Sequence, residues 1–204
     1  MNDVDASIKK YEDKIIVTST SDPNTYIAKE LAKNKIIARC TGPMEFGARA
    51  LGNRSILANP KNLETVNKIN MAVKKRDYWM PFAPAVLWDK ADQIIKIPMS
   101  LQNQGSPYMM FAFDTHSQAS KKISCGIHQA DLTARAETLT PELYPDFYEI
   151  VSKFYKETNI PVVLNTSFNL HGFPIVENSD QAIFVLINSK IDTLVLENYI
   201  IKRV

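Results

Sequence analysis

Residues 42–55, GPMEFGARALGNRS, place Arg49 and Arg54 five positions apart among Gly42, Gly47 and Gly52, with Asn53 and Ser55 beside the second arginine. A guanidinium is a planar fork of donors that fits a carboxylate or a phosphate. Glycine lets the backbone come close to a ligand and adopt dihedrals closed to other residues. The chemistry this spacing suits is gripping an anion. An ordinary turn with two solvated arginines has the same composition, so other segments must decide between the two.

Three segments share the character of the first. Lys74, Lys75 and Arg76 follow a helical pattern, where they would either meet an anion or complement the helix dipole and solvent. Arg135 stands beside Thr133 between Ala134 and Ala136, with Asp131 and Glu137 as alternative ion-pair partners. The run Asn165-Thr166-Ser167-Phe168-Asn169 follows an apolar stretch directly. Hydroxyls and amides at a strand end hold phosphate oxygens or ribose, although the same residues favour turns and caps. Arg49, Arg54, Lys74, Arg135 and Ser167 together would form a polyphosphate pocket. Phosphoryl and nucleotidyl transfer depend mainly on positioning and on neutralising charge on oxygens. The sequence contains no GxxxxGK[ST] phosphate loop and no Cys-His or Ser-His-Asp arrangement for a covalent nucleophile.

The elements that must carry these groups are mixed along the chain. Strands are expected over 14–18, over 35–40 running into the glycine/arginine segment, over 108–113 as a strand buried on both faces, over 132–139, over 160–164, and over 193–203. Asp22-Pro23 reads as a capped helix start. Helical spacing of apolar residues covers 62–73, 146–158 and a stretch beginning at Ser179. A short helix is expected over 89–95, a loop over 96–107 and an exposed polar excursion over 114–127. Residues 80–87 carry prolines that exclude helix, so they should be extended and at a sheet edge. The pattern predicts one α/β domain with a twisted, mixed sheet.

Composition narrows the classes further. The 204 residues are enough for one sizeable core. A formal net charge of +2 gives little reason to expect a nucleic-acid partner. Cys40 and Cys125 are isolated, as expected of reduced thiols, and His116, His128 and His171 are scattered, so no metal ligands are assigned. No apolar run approaches the ~20 residues of a membrane span, and the polar start lacks a signal peptide's apolar region. A cytoplasmic location is the expectation.

In order, GPMEFGARALGNRSILANP, KKRDYWMPFAPAVL, DLTARAETL, PVVLNTSFN and GFPIVENSDQA resemble the C-terminal half of the O-carbamoyltransferase family, which includes nodulation and antibiotic carbamoyltransferases. The resemblance covers residues 21–204 and leaves 1–20 poorly matched. It implies a YrdC-like fold, a twisted, mixed open sheet flanked by helices in a single domain. It also implies an activity, the condensation of carbamoyl phosphate with ATP to carbamoyl-adenylate and pyrophosphate. In such families an actin/sugar-kinase-like domain then carries the carbamoyl group to an acceptor hydroxyl. That domain would be the partner, and the chain resembles either a stand-alone reading frame or a fragment. ATP and carbamoyl phosphate are the implied substrates, with Mg a candidate ion.

Carried across by motif, Arg49 and Arg54 would hold phosphates, with Ser55 beside them. Lys74 and Arg76 match a KxRE element, Thr133 and Arg135 a DGTAR segment, and Asn165, Ser167 and Asn169 an NTSFN element of nucleotide sites. Lys74, Arg49, Arg135 and Ser167 are the implied catalytic groups. Arg54, Ser55, Arg76, Thr133, Asn165 and Asn169 are the implied nucleotide contacts. The chain departs from the family at Ala48 for proline, Asp77 for glutamate, Gln129 for histidine, Leu132 for glycine and Met80 for arginine. The last removes one phosphate ligand, with Lys75 a neighbouring cation. These departures suggest the alternative of a non-catalytic nucleotide- or RNA-binding module or partner subunit.

Overall fold

Alternate residues of the central strands feed two separate cores, and this places helices on both faces of one sheet. The structure, a computed structural model, describes residues 4–70, 73 and 80–204. Its strands are β1 (Ile15–Ser19), β2 (Ile37–Cys40), β3 (Arg54–Ala58), β4 (Ala83–Leu87), β5 (Phe113–Asp114), β6 (Thr133–Ala134), β7 (Glu137–Leu139), β8 (Val162–Ser167), β9 (Thr193–Leu196) and β10 (Tyr199–Arg203). Its α-helices are α1 (Val4–Lys10), α2 (Pro23–Ala32), α3 (Leu63–Ile69), α4 (Ser117–Ser120), α5 (Pro145–Thr158) and α6 (Ser179–Ile187).

Eight strands form one sheet in the order β1-β10-β9-β2-β3-β8-β4-β7, and β5 and β6 form a small second sheet. In the large sheet β2 runs parallel to β9 and β4 parallel to β7, while the other neighbours are antiparallel. Ile37, Leu57, Val163 and Val195 pack with Ile27 and Leu31 of α2 and with Phe147, Ile150 and Phe154 of α5. Ala38, Ile56, Leu164 and Leu194 belong to the other core, with Val66 and Ile69 of α3 and Ala182, Ile183 and Leu186 of α6. β1 lies within residues 1–20 and pairs with β10 along its whole length, so this segment forms one edge of the sheet.

Local signals explain the helix ends. Asp22 accepts a hydrogen bond from the Thr25 backbone N–H at 2.9 Å, with Pro23 opening α2. Asn62 and Asn178 cap α3 and α6 in the same way. Asn159 ends α5 in the left-handed conformation, with φ of 58°. Among the described residues no helix is long and apolar enough to cross a membrane.

Several expectations are corrected. Residues 108–112 are not a buried strand: Tyr108, Met110 and Phe111 are exposed, Met109 has a φ of 54°, and only Phe113–Asp114 pair. Apart from buried Met109, the large apolar side chains of 108–112 lie at the surface. Residues 80–87 are not an edge strand, because β4 lies between β8 and β7. Pro84 is tolerated because the pairing with β7 begins only at Ala85. The 132–139 stretch breaks at Arg135-Ala136, so β6 joins the small sheet and β7 the large one. The 193–203 stretch is a hairpin that turns at Glu197, whose φ is 50°. In the 114–127 excursion, Ala119, Ile123, Cys125 and Ile127 are buried.

Candidate functional site

β8 continues through Asn165, Thr166 and Ser167 instead of stopping at Leu164, so the polar run is the C-terminal end of a strand. Ser167 lies opposite Ser55 at the start of β3, and Asn165 lies opposite Ala83 at the start of β4. The loop joining β2 to β3 rises over this end, and the break between β6 and β7 passes beside it. Two adjoining cavities lie there. One, of about 50 Å³, is lined by Ala48, Arg49, Ala50, Ala83, Met109, Arg135, Asn165, Thr166 and Ser167. The other, of about 330 Å³, is lined by Arg49, Met80, Pro81, Phe82, Ala83 and Arg135. Both guanidinium-bearing residues therefore border both cavities, and both are exposed. Cationic forks, a hydroxyl pair and an amide around small cavities form a site suited to a phosphate or carboxylate group.

The loop that presents Arg49 is folded around a carboxylate. Glu45 Oε1 accepts hydrogen bonds from the backbone N–H groups of Leu51 at 2.7 Å, Asn53 at 2.8 Å and Arg54 at 3.2 Å. Arg54 closes the same loop from beneath. Its guanidinium donates to the carbonyls of Thr41, Gly42, Asn53 and Glu177, and the residue is only 2% exposed. Asn53 Nδ2 donates to Pro43 O, and Ser55 Oγ accepts from Gly52 N–H at 3.0 Å. Gly52 has a φ of 115°, and a Cβ there would meet the Phe147 ring at 2.7 Å, so both the dihedral and the packing exclude a side chain. Arg39, buried behind the loop, donates to Gly52 O at 2.7 Å and faces Asp146 at 3.4 Å.

The expected site residues fall into three groups. Arg49, Arg135, Asn165 and Ser167 converge on the cavities. Arg54, Ser55, Thr133 and Asn169 do not line them. Arg54 and Ser55 are committed to the loop base. Thr133 donates its backbone N–H and its hydroxyl to Asp131, which also meets His128 Nδ1 at 2.9 Å. Those contacts, led by the Thr133 backbone N–H, draw the Asp131 carboxyl down to about 2. Asn169 accepts from Ser167 Oγ at 2.7 Å and donates to Phe173 O, bracing the turn after β8. Lys74 and Arg76 lie outside the described residues. Gln129 donates to the carbonyls of Ser124 and Ile127, a turn-bracing role.

Glu45, Thr166 and Glu137 were not among the expected site residues, although Thr166 stood in the polar run and Glu137 was named beside Arg135. Glu45 stood inside the quoted motif, and a carboxylate among glycines was a usable signal. Glu137 is fully buried with Asn165 Nδ2 donating to its Oε2 at 2.8 Å, and burial pushes its carboxyl well above the usual carboxylate range. No one-dimensional pattern reports that pairing.

The sheet, its two helical layers and an anion-suited cavity at a strand end define a YrdC-like α/β domain. Full-length HypF in its phosphate- and nucleotide-bound form is similar over 89% of this chain and 22% of HypF, with a TM-score of 0.56 at 14% identity. A Sua5 variant of P. abyssi is similar over 79% of this chain and 42% of Sua5, with a TM-score of 0.54 at 16% identity. The carbamoyltransferase C-terminus family model matches residues 28–203, and the chain belongs to that family. An uncharacterized Methanocaldococcus jannaschii protein is 38% identical over 98% of this chain and 32% of its own length. Nodulation protein NolO of Bradyrhizobium diazoefficiens is 33% identical over 92% of this chain and 34% of its own length. The chain thus spans about a third of these relatives.

Proposed function

We propose that this chain forms carbamoyl-adenylate from carbamoyl phosphate and ATP. A carbamate oxygen, freed from carbamoyl phosphate with loss of inorganic phosphate to water, attacks the α-phosphorus of ATP. The new C–O–P linkage forms as the α–β anhydride breaks, and pyrophosphate leaves. The single observation that supports this reading is the convergence of Arg49 and Arg135 with Ser167 and Asn165 on one strand end in a member of the carbamoyltransferase family. Arg49 and Arg135 neutralise charge on the phosphate oxygens as it redistributes, Ser167 orients the substrate, and Asn165, held by Ala50 and Glu137, lines the cavity beneath it. Lys74 and Arg76 are proposed as further cations of the site. Because the chain spans about a third of its relatives, the carbamoyl group would pass to an acceptor hydroxyl on an actin/sugar-kinase-like partner domain.

The test is pyrophosphate release by the purified protein given ATP, magnesium and carbamoyl phosphate. A folded preparation that neither turns over nor binds ATP in calorimetry would exclude the proposal. Met80, 37% exposed on the larger cavity, supports a second reading. It stands where the resembled pattern has arginine, and a site short of one cation would bind nucleotide without chemistry. ATP binding with no pyrophosphate release, gained on Met80→Arg, is the outcome that selects that second reading.

A further inference from the structure

Two buried oxygens beside the cavity lack a hydrogen-bond partner, Glu137 Oε1 and Asn165 Oδ1. They sit on the two residues of one hydrogen bond. Asn165 Nδ2 donates to Glu137 Oε2 at 2.8 Å and to Ala50 O at 3.0 Å, which uses both of its hydrogens. An ionised Glu137 has no hydrogen to give, so both leftover atoms would be acceptors sealed from water. Each such orphan is unfavourable, and a buried charge more so. A single proton on Glu137 removes the charge and supplies the missing donor. A carboxylic acid and a primary amide each present one donor and one acceptor along an edge, so two such groups satisfy each other with a pair of parallel bonds.

We propose that Glu137 is a neutral carboxylic acid whose Oε1–H donates to Asn165 Oδ1, closing a two-bond acid–amide pair that fixes Asn165 and, through Ala50, the Arg49 rim of the cavity. Glu137 is therefore a positioning residue acting through Asn165. Its neutral state also keeps a negative charge away from the cations of an anion site. Burial is the largest force holding the proton on, the Glu45 charge adds to it, and the Asn165 N–H bond opposes it. Tyr144 is itself pushed up, chiefly by burial. Arg49 and Arg135 border the adjoining cavity. The claim about ligand binding rests on the proposed function, whereas the protonation and the pairing do not.

The test compares the wild type with Glu137→Gln and Glu137→Ala. Glutamine keeps both bonds as an amide–amide pair and has no proton to lose. A carboxyl with a raised folded pKa stabilises fully below its unfolded value of about 4.5 and loses that contribution as pH rises toward the folded value. Chemical denaturation from pH 5 to 8 should therefore show Glu137→Gln gaining on the wild type, by about tenfold in the unfolding constant per pH unit, until the folded pKa is passed. The Asn165 side-chain amide and the Ala50 backbone amide should keep their NMR shifts in Glu137→Gln and lose them in Glu137→Ala. Calorimetry with ATP should give wild-type affinity for Glu137→Gln and about tenfold weaker binding for Glu137→Ala. Parallel stability–pH curves for the wild type and Glu137→Gln overturn the proposal, as do displaced Asn165 signals in Glu137→Gln. If Glu137→Ala does not fold, the wild type and Glu137→Gln still decide by these two readouts. A wild type that binds no ATP sinks the proposed function and leaves the stability and NMR results to judge Glu137.

Discussion

Arg54 and Arg49 come from one motif and end in opposite surroundings. At the base of the β2–β3 loop, the Arg54 guanidinium is spread over four backbone carbonyls and the residue is 2% exposed. At the rim, Arg49 is exposed and borders both cavities. Glu45 separates the two regions by collecting three backbone N–H groups on one oxygen. The contrast teaches that the motif has two tasks. Its Glu45, Gly52 and Arg54 build a rigid loop, and the loop holds Arg49 out over the strand end. On the proposed function, a rim arginine carried by such a base would lose less ordering entropy on binding its anion.

The contrast is broken most directly at the base. Arg54→Ala leaves buried carbonyls without donors and opens a void, so urea denaturation should show a loss of about 3–5 kcal/mol. Arg54→Lys should fail to restore it, because an ammonium lacks the fork that reaches several carbonyls. Stability within about 0.5 kcal/mol of wild type in Arg54→Ala would mean that the base is not what holds the loop. Next in size is the rim. Arg49→Ala should reduce turnover by about 10²–10³-fold, the usual consequence of removing one group that stabilises developing charge, and change stability by less than about 0.5 kcal/mol. A variant that loses stability and keeps turnover would invert the assignment. Glu45→Gln is smaller. It keeps an acceptor for the three N–H groups but lowers its charge, so a loss of about 1–2 kcal/mol is expected, with Arg49-dependent binding weakened in step. Unchanged thermal stability would show that the carboxylate is incidental.

Much of the fold was legible because its signals are local. Asp22-Pro23 announced α2, and the spacing of Phe147, Ile150, Val151 and Phe154 announced α5. The corrections share a cause, since each depended on partners remote in sequence. Nothing within residues 80–87 reveals that β7 begins pairing only at Ala85 and so spares Pro84. Tyr108, Met110 and Phe111 look like core by composition, and only the tertiary fold leaves them outside. The site divides in the same way. Arg49, Arg135, Asn165 and Ser167, singled out by residue type next to strand ends, converge on cavities at a strand end, where many α/β ligand sites lie. Arg54 and Ser55 carried the same signal but are consumed by the loop, and residue type cannot distinguish a guanidinium that binds a ligand from one that binds the backbone. Glu137 read only as an ion-pair partner for Arg135, because no pattern in the sequence reports its burial against Asn165 across the sheet.

The smallest expected effect lies in the other loop at the site, where Thr133 and Arg135 stand two residues apart. Thr133 is tied to Asp131 through both its backbone N–H and its hydroxyl, whereas Arg135 borders the cavities. Thr133→Ala removes the hydroxyl and keeps the N–H, so the Asp131 carboxyl should rise from about 2 toward its ordinary 3.8 without reaching it. A depressed carboxyl stabilises the fold above its unfolded pKa and loses that contribution as pH falls through the folded value. Wild type and Thr133→Ala should therefore differ slightly above about pH 4 and converge near pH 2, as read by thermal unfolding. A carbon-13 titration of the Asp131 carboxyl checks the shift directly. Because Thr133 is spent on the turn, turnover in Thr133→Ala should stay within about twofold of wild type, while Arg135→Ala should lose as much as Arg49→Ala. A large loss of turnover in Thr133→Ala with an unshifted Asp131 would place the hydroxyl on the substrate.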